Sequence, residues 1–431
     1  MKNKTKLYKL KIKGYSLLYA ILIMLIVSIT SASLIYSSYF NFLYSTYVIN
    51  KNKVINNVNS GLNLLISKDS DIGIDESVEI ELYEEEENNL VKLTRNQWGF
   101  FEIISSQASY KDFVFQKTAL TTEKIIDNDI ALYLADLDKE LSLCGKTIIK
   151  GRCFLPKSGV KRAYVERKTF IGDKLIDGKK EVSDKNLPTP KQKILDCNYE
   201  NFLTKYLQES KYKILFFKEI ENDSIITKFS DTTTIVYSKQ PINLSNKIII
   251  GNVIVISESN IIIDNNNTIE DAILSAPFIK IKRGFNGNMQ CFASDSVSVE
   301  EDCLLKYPSA IGVINNSIAE YNSRININKN SIIEGIVLLY KKNIKKNNMP
   351  VLSIKQDATI KGQAYSNGIV EHEGNIYGSV YCLKFLLGTR SSVYENHILD
   401  AVIDVSKRSK FYAGINYNEE NSRIVILKWL Y

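Results

Sequence analysis

From Gly14 to Asn50 the chain contains no charged residue. Within that stretch Tyr15–Tyr36 is apolar for 22 residues. At about 1.5 Å per residue this spans a hydrocarbon core of roughly 30 Å. Six Lys lie before it, and the first charges after it are Lys51 and Lys53. By the positive-inside rule the amino end is expected in the cytoplasm, and everything past residue 40 outside.

Apolar residues then continue at Phe40, Leu43, Tyr47, Val54, Val58, Leu62 and Leu65. Spacings of three, four and seven trace one stripe of a helix. Asn41, Ser45, Asn52, Asn56 and Asn59 occupy the opposite face. The pattern predicts one unbroken helix over 15–67, about 80 Å long. Its first half is apolar all round and its second half amphipathic.

Three readings fit this segment: a plain signal anchor, a secretory signal peptide ending near Ser31-Ala32-Ser33, and a processed leader. The third rests on Gly14. A short Lys-rich leader that ends in Gly14 runs into Tyr15-Ser16-Leu17-Leu18 and an uncharged helix. This resembles the prepilin-type leader of type IV pilins and type II secretion pseudopilins. The resemblance implies cleavage by a prepilin peptidase between Gly14 and Tyr15, and assembly with other pilin-like subunits through the amino-terminal helix. It also implies a head packed on the helix's outer half, and a removed signal peptide would not need that continuing stripe. Where the family usually carries a glutamate, this chain has Tyr19, a departure that points away from a major repeating subunit. The resemblance covers about 55 of the 431 residues.

Beyond Ser67 the pattern becomes alternating and β-branched. Val78–Tyr83, Trp98–Ile104 and Tyr110–Thr118 read as strands of a small antiparallel sheet lying on the helix. The acidic run Glu84–Glu87 between them reads as a solvated turn or edge. Farther on, short runs of Ile and Val closed by Gly or Asn recur. Examples are Ile248–Gly251, Val253–Ile256, Ile261–Asp264 and Ile325–Asn328. Leu141–Gly151 echoes Ala358–Gly378, and Gly362 and Gly378 are spaced like one coil of a winding strand. Such coils expose an apolar row that only another coil can cover.

The expected fold is therefore mainly β with one long amino-terminal α-helix. The head is expected to be β-solenoid-like (a right-handed β-helix) with an inserted segment; a β-sandwich is the alternative. The expected divisions are a leader over 1–14, the helix over 15–67 and a β-rich region over 68–155. An inserted basic loop with a short helix follows over 156–225, and the solenoid-like domain over 226–431. Segments 282–322 and 340–349 read as irregular insertions.

Charge narrows the function. The 55 Lys and Arg against 48 Asp and Glu look basic, but removing the leader's six Lys leaves 49 against 48. A body so balanced is not expected to bind nucleic acid. The basic run Lys157–Arg162 with Arg167, Lys168, Lys179 and Lys180 reads as a solvated excursion that could also meet an acidic partner. Two His, His372 and His397, leave little for a metal centre, and no cofactor motif occurs. Among six Cys, Cys144 with Cys153 and Cys291 with Cys303 are candidate disulfides, with buried free thiols the alternative. Carboxylates that could serve a glycan-cleaving site are Asp264 with Asp271, or Glu300, Glu301 and Asp302. No nucleophile elbow or Walker loop is present. The expected protein is a non-enzymatic minor pilin- or pseudopilin-like component in the cytoplasmic membrane, its head periplasmic or at the cell surface. The alternative is an anchored β-helix that cleaves or binds extracellular polysaccharide.

Overall fold

In a computed structural model of the chain, residues 14–67, 72–82, 90–125, 129–208, 210–219, 223–317, 323–345, 347–409, 412, 414–415, 417 and 422–430 are described. The Lys-rich leader before Gly14 and the run Glu84–Glu87 lie outside them. Helix α1 (Tyr15–Ile66) is continuous over 52 residues, as its periodicity requires. Three hydroxyls of its exposed half bond to the helix's own backbone: Ser28 Oγ donates to the Met24 carbonyl at 2.7 Å, Thr30 Oγ1 to Val27 at 2.9 Å and Thr46 Oγ1 to Phe42 at 2.9 Å. Hydroxyls satisfied in this way add little cost in apolar surroundings. Residues from Tyr15 through Tyr44 stand exposed. The helix is long and apolar enough to cross a membrane.

The outer half is covered. Val54, Val58, Leu62 and Leu65 are buried against Val91, Leu93, Ile104, Ala108 and Ala119. These come from an antiparallel sheet of β1 (Glu76–Glu81), β2 (Leu90–Trp98), β3 (Phe101–Tyr110) and β4 (Phe113–Ile125). Gly61 sets the approach: a Cβ there would lie 2.4 Å from Ser106 Oγ and 2.7 Å from a Leu93 methyl. The fifth strand is the carboxy-terminal one, Ser422–Leu430, which pairs antiparallel with β4. Everything between Ile125 and Ser422 therefore leaves this sheet and returns to it.

That excursion is built on parallel pairing that closes on itself. Strand Thr268–Ile281 shows the pattern, since its three parts pair in parallel with Ile248–Ile250, Ile254–Ile256 and Asn260–Ile263. Three faces result, each with an inward ladder. One runs Leu305, Ile333, Ile360, Ile376, Ile403, Ile149. A second runs Val255, Leu274, Cys291, Ile311, Val337, Ala364, Val380, Leu132 and Cys153. Stacking β-branched side chains on their own kind at the interstrand spacing removes nearly all of their surface from water. The echo between 141–151 and 358–378 is thus spatial, since Ile149 follows Ile376 by two layers through Ile403. Residues 282–317, expected as an irregular insertion, contribute Asn286–Val299 and Leu304–Asn315 to the array. Their outward Ser and Asn positions hide the inward periodicity.

The array also takes in residues that precede it. Ile130–Leu134 and Arg152–Leu155 stack beyond the turn at Val380–Cys382, and Lys180–Val182 stacks on them in turn. The excursion out of the array thus covers 183–212, where α2 (Gln192–Leu195) and α3 (Tyr199–Gln208) lie.

Two positions test this packing. Gly335, Gly362 and Gly378 are register partners with φ of 153°, 155° and 153°. A Cβ on Gly362 would lie 2.0 Å from the Gly335 carbonyl. Gly362→Ala is expected to destabilise the head by roughly 2–4 kcal/mol in urea unfolding. His372 points inward and stacks on Phe385 at 6.3 Å. Burial lowers its pKa from 6.5 to about 4, opposed by the backbone at Gly374. Below pH ~6.5 the unfolded imidazole takes up a proton that the folded one refuses until about pH 4. The site therefore loses about 3 kcal/mol of stability as pH falls through that window. His372→Phe should flatten the acid side of the stability profile relative to the parent, measured by thermal melting from neutral to acid pH.

Candidate functional site: the long helix and its junction with the head

Gly14 stands at the start of α1, with Tyr15 the first helical residue and 62 % exposed. A Cβ on Gly14 would meet nothing within 4 Å. The surface that follows is one continuous sleeve of Leu, Ile, Tyr and Phe through Tyr47, where the first head contact forms. Tyr47 meets Phe113 edge-on at 5.0 Å. Lys53, one of the first two charges, then lies over the Tyr110 ring at 4.6 Å, and Lys117 donates to Asn59 at 2.7 Å. The helix thus passes from bare apolar surface to packed surface within about two turns.

The other side of the antiparallel sheet meets the parallel array. Trp98, Phe100, Phe101, Ile103 and Leu120 pack with Ile254, Ile273, Phe292, Ile336 and Tyr365, together with Phe202 and Tyr206 of α3. Phe100 crosses Phe292 at 4.8 Å, and Phe202 stacks on the same ring at 5.1 Å. Gln290 locks the β2–β3 turn by accepting from Phe100 N and donating to the Trp98 carbonyl, both at 2.9 Å. Trp98 Nε1 donates to the Asp271 carbonyl at 3.0 Å, and Lys428 of the last strand pairs with the Asp271 carboxylate at 2.7 Å.

A charged cluster ties in α2. Glu102, 3 % exposed, accepts from Arg95 Nε at 2.8 Å and from Lys193 at 2.7 Å. Glu123 accepts from Lys191 at 2.6 Å and Lys193 at 2.5 Å. Burial alone would raise the Glu123 pKa, but the two lysines outweigh it and hold the carboxyl below its usual range. Burial would lower Lys193, yet the charge of Glu102 outweighs it and pushes the ammonium up. Beside this cluster a groove of about 730 Å³ runs between the end of β2 and α2–α3, lined by Asp75, Gln97, Asp196, Asn201 and Lys205. Its nearest opposed charges, Asp75 and Lys205, already pair at 2.7 Å.

Of the sequence candidates for chemistry, Asp264, Glu300, Glu301 and Asp302 gather round the cations Lys280, Lys282 and Arg283, and Asp271 lies apart. Asp264 pairs with Lys282 at 2.7 Å, Glu300 with Lys280 at 2.7 Å, and Asp302 with Arg283 at 2.7 Å. Glu301 lies 3.9 Å from the same guanidinium, and Asp271 belongs to the latch with Lys428. The pairing lysines hold Asp264 and Glu300 below the usual carboxylate range. No group of three or more His, Cys, Asp or Glu is placed to hold a metal among the described residues.

All six cysteines are free and buried, so neither Cys144–Cys153 nor Cys291–Cys303 forms a bridge. Cys144 packs with Val165 and Leu387, whereas Cys153 lies in the main core of the array. Cys291 sits mid-face, and Cys303 donates to the Lys282 carbonyl at 3.2 Å. Burial pushes Cys153, Cys197 and Cys291 up to about 12, which leaves them unreactive thiols.

No protein-family model and no curated protein matches this chain. A crystal structure of the competence-associated pilin ComZ from Thermus thermophilus is similar at 9% identity, with 99% of this chain and 100% of that one covered. The TM-score is 0.21, a weak likeness that carries no argument about the fold. The helix and the sheet packed on it remain the ground for a functional reading.

The Lys193 cluster was not visible in sequence, because its members come from β2, β3, β4 and α2. Lys193→Met would leave Glu102 with Arg95 and Glu123 with Lys191, each carboxylate short of one of its two cation partners. A loss of about 2–3 kcal/mol in head stability is expected, against under about 1 kcal/mol for Lys205→Met at the exposed pair. Urea denaturation followed by tryptophan fluorescence measures both, since Trp98 sits at the junction.

Proposed function

We propose that this chain is a minor pilin- or pseudopilin-like subunit of a type IV pilus or type II secretion-like assembly. The observation that carries the reading is the division of α1. Its outer half lies under an antiparallel sheet closed by the chain's own last strand, while some thirty residues of apolar sleeve extend bare from the head. Water cannot accommodate a sleeve of that size, and bilayer and neighbouring apolar helices can. In this reading the sleeve crosses the cytoplasmic membrane with the amino end inside, and the head projects outward. The parallel array is a β-solenoid inserted between the fourth and fifth strands of a pilin-like sheet. Its part is structural and non-enzymatic, consistent with candidate carboxylates that are each paired with a cation. Tyr19, in place of the family's glutamate, supports a low-copy position rather than the repeating one.

Prepilin peptidase would cut after Gly14, leaving Tyr15 first. Mass spectrometry of the chain from membranes is expected to give Tyr15 as the amino terminus, and Gly14→Leu should retain Met1 and the full leader. A chain that keeps its leader in the presence of an active peptidase is a plain signal anchor, and a start at Leu34 would make it a secreted protein.

A further inference from the structure

The β3–β4 hairpin runs along α1 toward its bare half. Ser106 lies against Gly61, Tyr110 against Lys53 and Phe113 against Tyr47. Ile103 and Leu120 are the hairpin's last residues packed on the parallel array. From Ile103 to Tyr110 the strand then advances about 24 Å, at roughly 3.4 Å per residue. The tip, residues 110–115, is therefore the part of the described head that stands nearest the apolar sleeve. Its surface is apolar on both faces. Val114 is 62 % exposed, and Phe113 and Phe115 also reach solvent. By strand alternation the two Phe lie on the helix side and Val114 on the other. The Tyr110 ring lies between the ammonium groups of Lys53 at 4.6 Å and Lys111 at 5.2 Å, and Asp112 is the tip's one acid. Apolar side chains flanked by a tyrosine ring and lysines suit the boundary of hydrocarbon and headgroups, where the cations keep their ends wet. An exposed Val or Phe is ordinary on any surface, so it is the position of these that matters.

The length of the helix supplies the tip with a partner. Gly14 to Tyr47 measures about 50 Å along α1 at 1.5 Å per residue. A bilayer is roughly 30 Å thick in hydrocarbon and about 40–45 Å with its headgroups. With Gly14 at the inner edge of the hydrocarbon, an upright α1 would hold Phe40, Phe42, Leu43 and Tyr44 in water, all of them exposed. An apolar helix too long for its bilayer tilts, by up to about 40°, and anchors at the interface set the direction. A lean of about 40° brings Tyr47 to roughly 38 Å above Gly14, level with the outer headgroups. We propose that α1 leans toward its own sheet in the bilayer, and that the tip at 110–115 rests in the outer headgroup layer as a second membrane contact. This rests on the reading that α1 crosses a membrane. It describes the single subunit before assembly, because neighbouring apolar helices that cover residues 40–44 would take the place of lipid and release the tip.

The test uses the full chain alone in phosphatidylcholine vesicles, with a nitroxide on one introduced cysteine at a time. The six native cysteines are buried and escape the label. The sites are Val114→Cys and Asp112→Cys at the tip, Ile26→Cys in the sleeve, and Thr204→Cys on α3 beside the β2–β3 turn, at the sheet's other end. Oxygen concentrates in lipid and a nickel chelate in water, so collisions of each with the label report its depth. Oxygen should dominate at 26 and the chelate at 204. Sites 112 and 114 should both shift clearly from the reading at 204 toward that at 26. Adding Val114→Glu to the chain labelled at 112 should return that site to the reading at 204 with the melting temperature unchanged, since the Val114 side chain lies in the open. Labels at 112 and 114 as wet as 204, with 26 in lipid, would overturn the proposal and leave the membrane-crossing helix standing. A wet label at 26 would overturn both. A label at 112 that Val114→Glu does not move would also overturn the proposal, since the apolar tip would then hold nothing in the bilayer.

Discussion

The pairing of Ser422–Leu430 with Phe113–Ile125 is the constraint on which the architecture depends. It brings the chain's end back to the sheet that holds α1. The whole parallel array is thereby a closed excursion between two adjacent strands, with both its ends tied to one small sheet. Lys428 on that strand then reaches Asp271, and Trp98 on β2 reaches the same residue's carbonyl. The array is thus fastened to the sheet at its corner as well as along its aromatic face. A force on the helix would pass through the sheet into the array by packed side chains.

Closure also explains the order of layers. The segment Ile130–Val182 leaves β4 first but is stacked last, on the turn that ends near Asp404. An array built in simple chain order would leave an open apolar end at Val380 and Ile403. Placing an early segment there covers that end, and its exposed surface is rich in Lys and Arg, which discourage further stacking. The price is a set of contacts between residues far apart in sequence, which must wait for most of the head to fold.

Much of this architecture is legible in the amino-acid sequence. The uncharged stretch and the stripe that continues it define α1, because helix periodicity and bilayer thickness are local arithmetic. The spacing from Gly362 to Gly378 is the true register of one turn, and Ile360 to Ile376 follows with it. Residues 286–315 were opaque for a physical reason. Their inward positions use Cys291, Ala293 and Gly287 as well as Ile and Val, and outward Ser and Asn blur the alternation. Within the expected insertion at 156–225, Lys180–Val182 stacks on Cys153–Leu155 as a three-residue strand, too short to carry a period of its own.

Local residue order sets where the apolar sleeve begins and ends, the helix that forms it, and the residues with which the array fills its interior. Those depend on which side chains water rejects, a property each short segment carries alone. Long-range packing is what makes the last strand close the first sheet and an early segment cap the array. It also decided that Lys193 neutralises two glutamates from different strands, and that the cysteines stay apart. Each of these pairs groups distant along the chain. Their energy exists only once the backbone has brought them together, so no local pattern encodes it.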